Sequence, residues 1–228
     1  MKANIIMDIP FKLKAEDLFQ MLNIKPGSRF ADRLRFILED ALRVARPKAA
    51  YKLSAVEHHD DGIVAIDDVQ IQSRVMQVNL KECHRAFPFV ATCGMELEAW
   101  SKTLDNTLES FWGDTINILA LGTAVDAFKK HMTKTFETRT TSCMNPGSLE
   151  DWPLLEQHKI FALLSGACSE IGVRLTQSAM MIPLKSVSGL EFESGEAFHN
   201  CQLCSRENCP ARRAPYDKHL YGTKYKKP

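Results

Sequence analysis

The chain has 228 residues, 45% hydrophobic and 25% charged, with a net charge of +1. That length buries a sizeable core without disulfides, the small net charge supplies no bulk field for nucleic acid or anionic lipid, and no apolar run approaches the roughly 18 residues of a membrane span. Seven cysteines, an odd number with no regular framework, indicate a reducing compartment. The opening Met1-Lys-Ala-Asn-Ile-Ile-Met-Asp8 has too short an apolar run for a secretory signal. A cytoplasmic protein with neither nucleic acid nor membrane as partner is expected.

Residues 12–22 carry apolar side chains at helical spacing up to the turn signal Pro26-Gly27. Phe30, Leu34, Ile37, Leu38, Ala41, Leu42 and Ala45 recur every three, four and seven residues and predict an amphipathic helix stopped by Pro47. Residues 51–56, 62–66 and 69–75 then read as strands, with a hairpin turn at His58-His59-Asp60-Asp61-Gly62 whose histidines are solvated rather than ligating. Residues 81–90 predict a short helix leading into a buried strand over 89–94. A helix over 96–111 follows, and Asp114 is placed as N-cap of a longer one reaching Phe136. Gly122 and Ala124 leave room on it for a close neighbour.

Residues 138–153 read as a polar connection. A helix begins near Pro153, capped by Ser148 or Asp151, with Trp152 packed beneath its start, and ends at Gly166. Residues 173–176, 180–183 and 187–192 are extended. The tail from Arg212 is basic and Tyr-rich and is expected to wrap the surface or move freely. Helices in the middle and strands on both sides predict one α+β domain over residues 1–228.

A cysteine-rich segment spans 198–217. Its core, Cys201-Gln-Leu-Cys204-Ser-Arg-Glu-Asn-Cys209-Pro210, has the spacing C-x2-C-x4-C. Zinc and iron–sulfur clusters both take soft sulfur ligands at such spacings, and a full site needs four. The bland reading is three thiols in a turn, able to form a transient disulfide. His199 is one local source of a fourth ligand. Cys83, Cys93 and Cys168 sit in apolar patterns and belong to the core. Arg206, Arg212 and Arg213 flank the motif and either screen a thiolate-rich site, meet an acidic partner or simply solvate.

Further residues carry a family likeness: Pro146-Gly147, Asp151-Trp152-Pro153-Leu154 with Gln157, Leu175-Thr176 with Ser178, Met181 with Pro183, and Ser186-Val187-Ser188-Gly189 leading to Phe192. Upstream, Ala91-Thr92-Cys93-Gly94 and the Asp126-Ala127-Phe128 helix fit the same plan. Over residues 30–205 the chain resembles the reactivation domain of cobalamin-dependent methionine synthase, a methyltransferase, and more closely the free-standing proteins of anaerobic bacteria that carry this domain alone. The resemblance implies a single curved α+β unit with an antiparallel sheet and flanking helices. It implies S-adenosylmethionine binding, with Asp126, Pro146, Gly147 and Ser188 at the ligand site. It also implies docking on a cobalamin-binding partner, whose inert cob(II)alamin is reduced and remethylated, and an electron donor for that reduction.

The loop departs from the family's Arg-x-x-Pro-Gly-Tyr pattern. Here it reads Cys143-Met-Asn-Pro146-Gly147-Ser148, so the guanidinium that could grip a carboxylate is replaced by a thiol. Arg139, four residues upstream, is a possible substitute. Because the loop and the segment after Ser188-Gly189 border one cleft in the family, Cys143 is expected to join Cys201, Cys204 and Cys209 around a 4Fe–4S cluster or zinc. Two functions are carried forward: an accessory protein of corrinoid-dependent methyl transfer, and a zinc-stabilised interaction module without redox or S-adenosylmethionine chemistry.

Overall fold

The computed structural model describes residues 2–59, 62–209 and 212–226. The molecule is organised on β6 (Arg85–Thr92), whose residues from Ala86 onward are all buried. A continuous apolar run is what a strand covered on both faces requires. One edge of β6 pairs with β10 (Ser186–Glu193), from Ser186 opposite Thr92 to Phe192 opposite Ala86. The other edge pairs first with β2 (Lys48–Tyr51), then with β3 (Ser54–His58). Pro88 lies where one gives way to the other. It has no N–H to donate, and its carbonyl accepts from Lys52 N at 3.1 Å. β1 (Asn4–Ile6) extends the sheet beyond β2, while β4 (Ile63–Ile66) and β5 (Val69–Gln72) extend it beyond β3. β7 (Thr141–Met144) adds to the far side of β10. All of these pairings are antiparallel, the arrangement expected from the resemblance. The β3–β4 hairpin is present; Asp60 and Asp61 of its expected turn lie outside the described residues.

Helices cover both faces. α6 (Gln157–Leu164), reached through a 3₁₀ turn at Leu154–Glu156, lays Ile160, Leu163 and Leu164 in one core with Val90, Leu190 and Phe192. α5 (Thr107–Phe136) covers the other face with Phe128 and Met132 against Tyr51, Phe87 and Phe89. Phe89 and Phe128 stack at 4.6 Å, a contact worth about 0.5–1.5 kcal/mol beyond its area. The first half of α5 packs instead with α1 (Ala15–Met21), α2 (Arg29–Val44) and α4 (Met95–Ser101) around Leu34, Leu38, Leu97 and Trp112. The remaining elements are α3 (Arg74–Asn79), α7 (Ala167–Glu170) and the ribbon of β8 (Arg174–Leu175) with β9 (Met181–Ile182). Among the described residues, no helix is long and apolar enough to cross a membrane.

Several expectations need correction. No helix lies at 81–90: residues 85–90 belong to β6, the helix of this region is α3 ahead of them, and the strand expected over 69–75 ends at Gln72. The cause is a long-range cap. Ser73 Oγ accepts from Met76 N, and the Asp151 carboxylate accepts from Arg74 N at 3.2 Å and Val75 N at 2.9 Å. Asp151 therefore caps α3, not its own helix, and Ser148 caps nothing there either; Pro153 precedes the 3₁₀ turn without a side-chain cap. Asp114 is not an N-cap. α4 stops at Ser101, and α5 starts at Thr107 under Asn106, whose Oδ1 accepts from Glu109 N at 2.9 Å. Asp114 lies inside α5 and pairs with Lys185 at 2.8 Å. The stretch read as a polar connection contains β7.

The tail is neither loose nor merely wrapped over the surface. Tyr225, in a π-helical turn over Tyr221–Tyr225, is fully buried. Its hydroxyl donates to Asn79 Oδ1 at 2.8 Å, and its carbonyl accepts from Arg74 Nε at 3.3 Å. Burial pushes its phenol up to about 12. Because the folded form holds the phenol neutral, that contribution is intact below the ordinary tyrosine value near 10 and is lost as pH rises from about 10 to 12. Tyr225→Ala is expected to lower unfolding free energy by about 3–5 kcal/mol in urea melts. Tyr225→Phe should cost about 1 kcal/mol at neutral pH and flatten the loss between pH 10 and 12.

Candidate functional site

β7 brings Cys143 to the site. In the β7–β10 ladder Cys143 faces Glu191, and Met144 faces Leu190. Alternation sends Met144 into the core under α6 and Cys143 to the α5 side. After β7 the chain turns through Pro146-Gly147, with Gly147 at φ +80° and its open side against Leu154. Asn145 Nδ2 donates to Ser188 O at 2.8 Å and anchors the loop to β10. That approach requires Gly189, because a Cβ there would lie 2.6 Å from Asn145 Nδ2 and 2.8 Å from Met144 O.

The C-terminal segment reaches the same place by crossing the free edge of β7. Ser142 Oγ accepts from Phe198 N at 2.7 Å and contacts Ser194 Oγ at 2.7 Å. Cys143 and His199 then form a parallel bridge. Cys201, two residues on, opens into a cavity of about 200 Å³ that it shares with Cys143, Asn145, His199, Lys129 and Arg213. Ser148 separates this cavity from a larger groove of about 1050 Å³, lined by Gly147, Leu154, Cys204, Tyr216 and Tyr221 among others.

Behind Cys143, outside the cavity lining, lies Glu191, its ladder partner, which is fully buried. Its Oε1 accepts from Thr141 Oγ1 at 2.6 Å and pairs with Lys129 Nζ at 3.1 Å, while Oε2 has no hydrogen-bond donor. Burial, and then the Glu191 carboxylate, push the Cys143 thiol well above the ordinary cysteine range; Lys129 and Arg213 pull it the other way. Cys201 Sγ accepts from Arg213 N at 3.4 Å.

The expected site residues thus separate. Cys143 and Cys201 meet at one cavity with His199. Cys204 lines the neighbouring groove, and Cys209 lines neither. Among the described residues, no three His, Cys, Asp or Glu side chains converge in an arrangement that could hold a metal ion. Pro146 and Gly147 form the turn between the cavities. Ser188 is buried on the opposite face of β10 from Glu191, where its hydroxyl donates to Gln157 Oε1 at 2.8 Å. Asp126 is exposed on α5 and lines neither cavity. Arg139 lines a third cavity, of about 480 Å³, with Glu193 and Lys224, and does not replace the missing loop arginine. The cation beside Cys143 comes instead from Arg213. Glu191 and Lys129 escaped sequence reasoning. The available signal was a single carboxylate inside the otherwise apolar or small Ser-Val-Ser-Gly-Leu-Glu-Phe strand.

The fold is a single antiparallel sheet with helices on both faces, an α+β architecture. A solved structure with this architecture, the MetH reactivation domain bound to AdoHcy, matches with a TM-score of 0.63 and 14% identity, covering 87% of this chain and 80% of that one. No family model and no curated protein sequence matches the chain.

Burial also sorts the thiols. Desolvation raises Cys83 to about 11 and Cys93 and Cys168 to about 12. At pH 8 a disulfide reagent applied to the native protein is expected to modify Cys201, Cys204 and Cys209 first, because the thiolate is the nucleophile. All seven should react only after denaturation. Peptide mapping of the modified sites checks the order.

Proposed function

We propose that this protein is a free-standing accessory of corrinoid-dependent methyl transfer, which docks on a cobalamin-binding protein and aids its reductive reactivation. The observation that carries this reading is the shared architecture with the MetH reactivation domain over most of both chains. In this reading the fold's contribution is to bind the partner and present a site to it. In a direct test, a corrinoid protein held as cob(II)alamin is mixed with a reductant, S-adenosylmethionine and this protein, and methylcobalamin formation is followed by absorbance. Faster remethylation than without the protein is expected; an unchanged rate, with no co-migration of the two proteins, overturns the reading.

The cysteines add a metal centre to this proposal. Cys143 and Cys201 already border one cavity. Cys204 and Cys209 must turn toward it to complete four sulfurs. A cluster bound there would supply a one-electron relay suited to cob(II)alamin reduction; zinc would only brace the C-terminal segment. Anaerobic purification should give a brown protein with about four iron atoms per chain, and Cys143→Ser should lower that content severalfold. A colourless protein with one zinc favours the interaction-module reading, and metal content unchanged by Cys143→Ser removes Cys143 from the ligand set.

S-adenosylmethionine binding is a further reading favoured by one observation. Arg213 and Lys129 line the Cys143 cavity, so a ligand carboxylate would still meet cations there. Calorimetric titration with S-adenosylmethionine or AdoHcy is expected to give saturable heat that Arg213→Ala diminishes. An absence of heat, with no shift in melting temperature, counts against it.

A further inference from the structure

The cavity that holds Arg139, of about 480 Å³, lies past the Thr141–Glu193 end of the β7–β10 ladder, away from the turn at Pro146-Gly147. Its floor is apolar. Phe192 and Phe198, both buried, belong to the core under α6, whereas Cys143 lies on the α5 side. The wall is assembled from four separate stretches: the loop after α3, the approach to β7, the end of β10 and the tail. Ser194 N donates to Thr140 O at 3.0 Å and closes the ladder. Cys83 Sγ donates to Glu193 O at 2.9 Å and holds the loop after α3 against the end of β10. The tail is fixed by Tyr225, whose ring meets Phe198 edge-on at 6.2 Å and whose hydroxyl bonds Asn79. Lys224, the residue before that anchor, lines the cavity.

The charges around this floor are of both signs and are not matched to one another. Lys81 and Arg139 have no ion pair and no side-chain hydrogen bond among the described residues. Lys224 Nζ lies 5.6 Å from the Tyr225 ring centroid and has no carboxylate partner there. Glu193 is already taken, because Arg85 Nε and Nη2 donate to its Oε2 at 3.0 and 2.8 Å. Glu82 and Glu196 also line the cavity and form no ion pair among the described residues. Three cations and two carboxylates thus face one apolar floor. A simple anion there is opposed by Glu82 and Glu196, and a simple cation by Lys81, Arg139 and Lys224. A molecule carrying both signs meets both sets. The volume falls within the roughly 300–1,000 Å³ of small-molecule sites.

We propose that this cavity is a ligand site, separate from the one at Cys143, and that it takes a free α-amino acid with an apolar side chain. Arg139 grips the carboxylate, since a planar guanidinium can offer it two parallel hydrogen bonds. Lys81 and Lys224 add positive field. Glu82 and Glu196 receive the ammonium, and the side chain lies over Phe192 and Phe198. The buried anchor Tyr225 then has a consequence beyond stability, because it keeps Lys224 at the rim. The proposal is independent of the corrinoid reading.

The test is calorimetric titration of the whole chain with L-leucine, L-methionine and L-phenylalanine. Leucinamide, which lacks the carboxylate, and 4-methylpentanoate, which lacks the ammonium, serve as comparisons. Saturable heat is expected for at least one amino acid. Loss of a charge-assisted contact should weaken binding about tenfold or more, so both leucine comparisons and Arg139→Ala are expected to fall by at least that factor. Arg139 is exposed, so its replacement should leave the melting temperature near native. Lys224→Ala provides a second variant, expected to weaken binding severalfold, and Cys143→Ser should leave it unchanged. No saturable heat with any of the three amino acids overturns the proposal. So does equal affinity for leucine and its two comparisons, which removes the zwitterion, or affinity unchanged by both Arg139→Ala and Lys224→Ala, which removes the site.

Discussion

The pairing of β6 with β10 constrains everything around the candidate site. Seven consecutive residue pairs, from Ser186–Thr92 to Phe192–Ala86, lock the register of two strands buried between α5 and α6. Because side chains alternate, a one-residue slip would exchange the two faces and place Glu191 in the apolar core under α6. In the observed register Leu190 and Phe192 fill that core, while Glu191 meets Lys129, Thr141 and Cys143 on the other side. The same alternation turns Ser188 toward Gln157 and away from the cysteines. One register thus decides which polar residue of β10 turns toward Gln157 and which lies against Cys143.

A second constraint is the short edge strand β7. It supplies an open edge that the segment after β10 uses, through Ser142 with Phe198 and Cys143 with His199. An unpaired strand edge is a template for further backbone pairing, and here it recruits the protein's own C-terminal segment. That brings Cys201 to the same cavity as Cys143 although the two are 58 positions apart in the chain. Gly189 makes the approach possible by leaving space for Asn145. The buried tail residue Tyr225 then closes the segment against α3.

Much of this was legible in the residues. The amphipathic period of α2 and the strand signature of β10 led to elements close to those observed, while of β6 only the second half was read as strand and its start as helix. Elements whose stability is supplied from afar were misread. α3 is six residues long and depends on an acid 77 positions away, Asp151 to Arg74, so its own sequence carries little helical signal. β7 is four residues of mixed polarity that become a strand only because β10 offers a ladder. The break between α4 and α5 follows from the Asn106 cap and from Gly113, where a Cβ would lie 2.6 Å from Leu104. The apolar pattern ran on through it and pointed to Asp114 instead.

By itself, the amino-acid sequence determined the chemistry on offer. It set three thiols at C-x2-C-x4-C, a fourth where a loop arginine was expected, two adjacent arginines, and enough periodic apolar residues for an α+β fold. These properties are local, because spacing and residue type act over a few positions. The tertiary structure decided which of these groups meet. It joined Cys143 to Cys201, set Cys204 across Ser148 in the next groove, put Arg213 rather than Arg139 beside the thiol, and buried Glu191 with one oxygen unpaired. Those outcomes depend on strand register and on an edge left open by β7, and long-range pairing of this kind leaves no periodic trace in the chain.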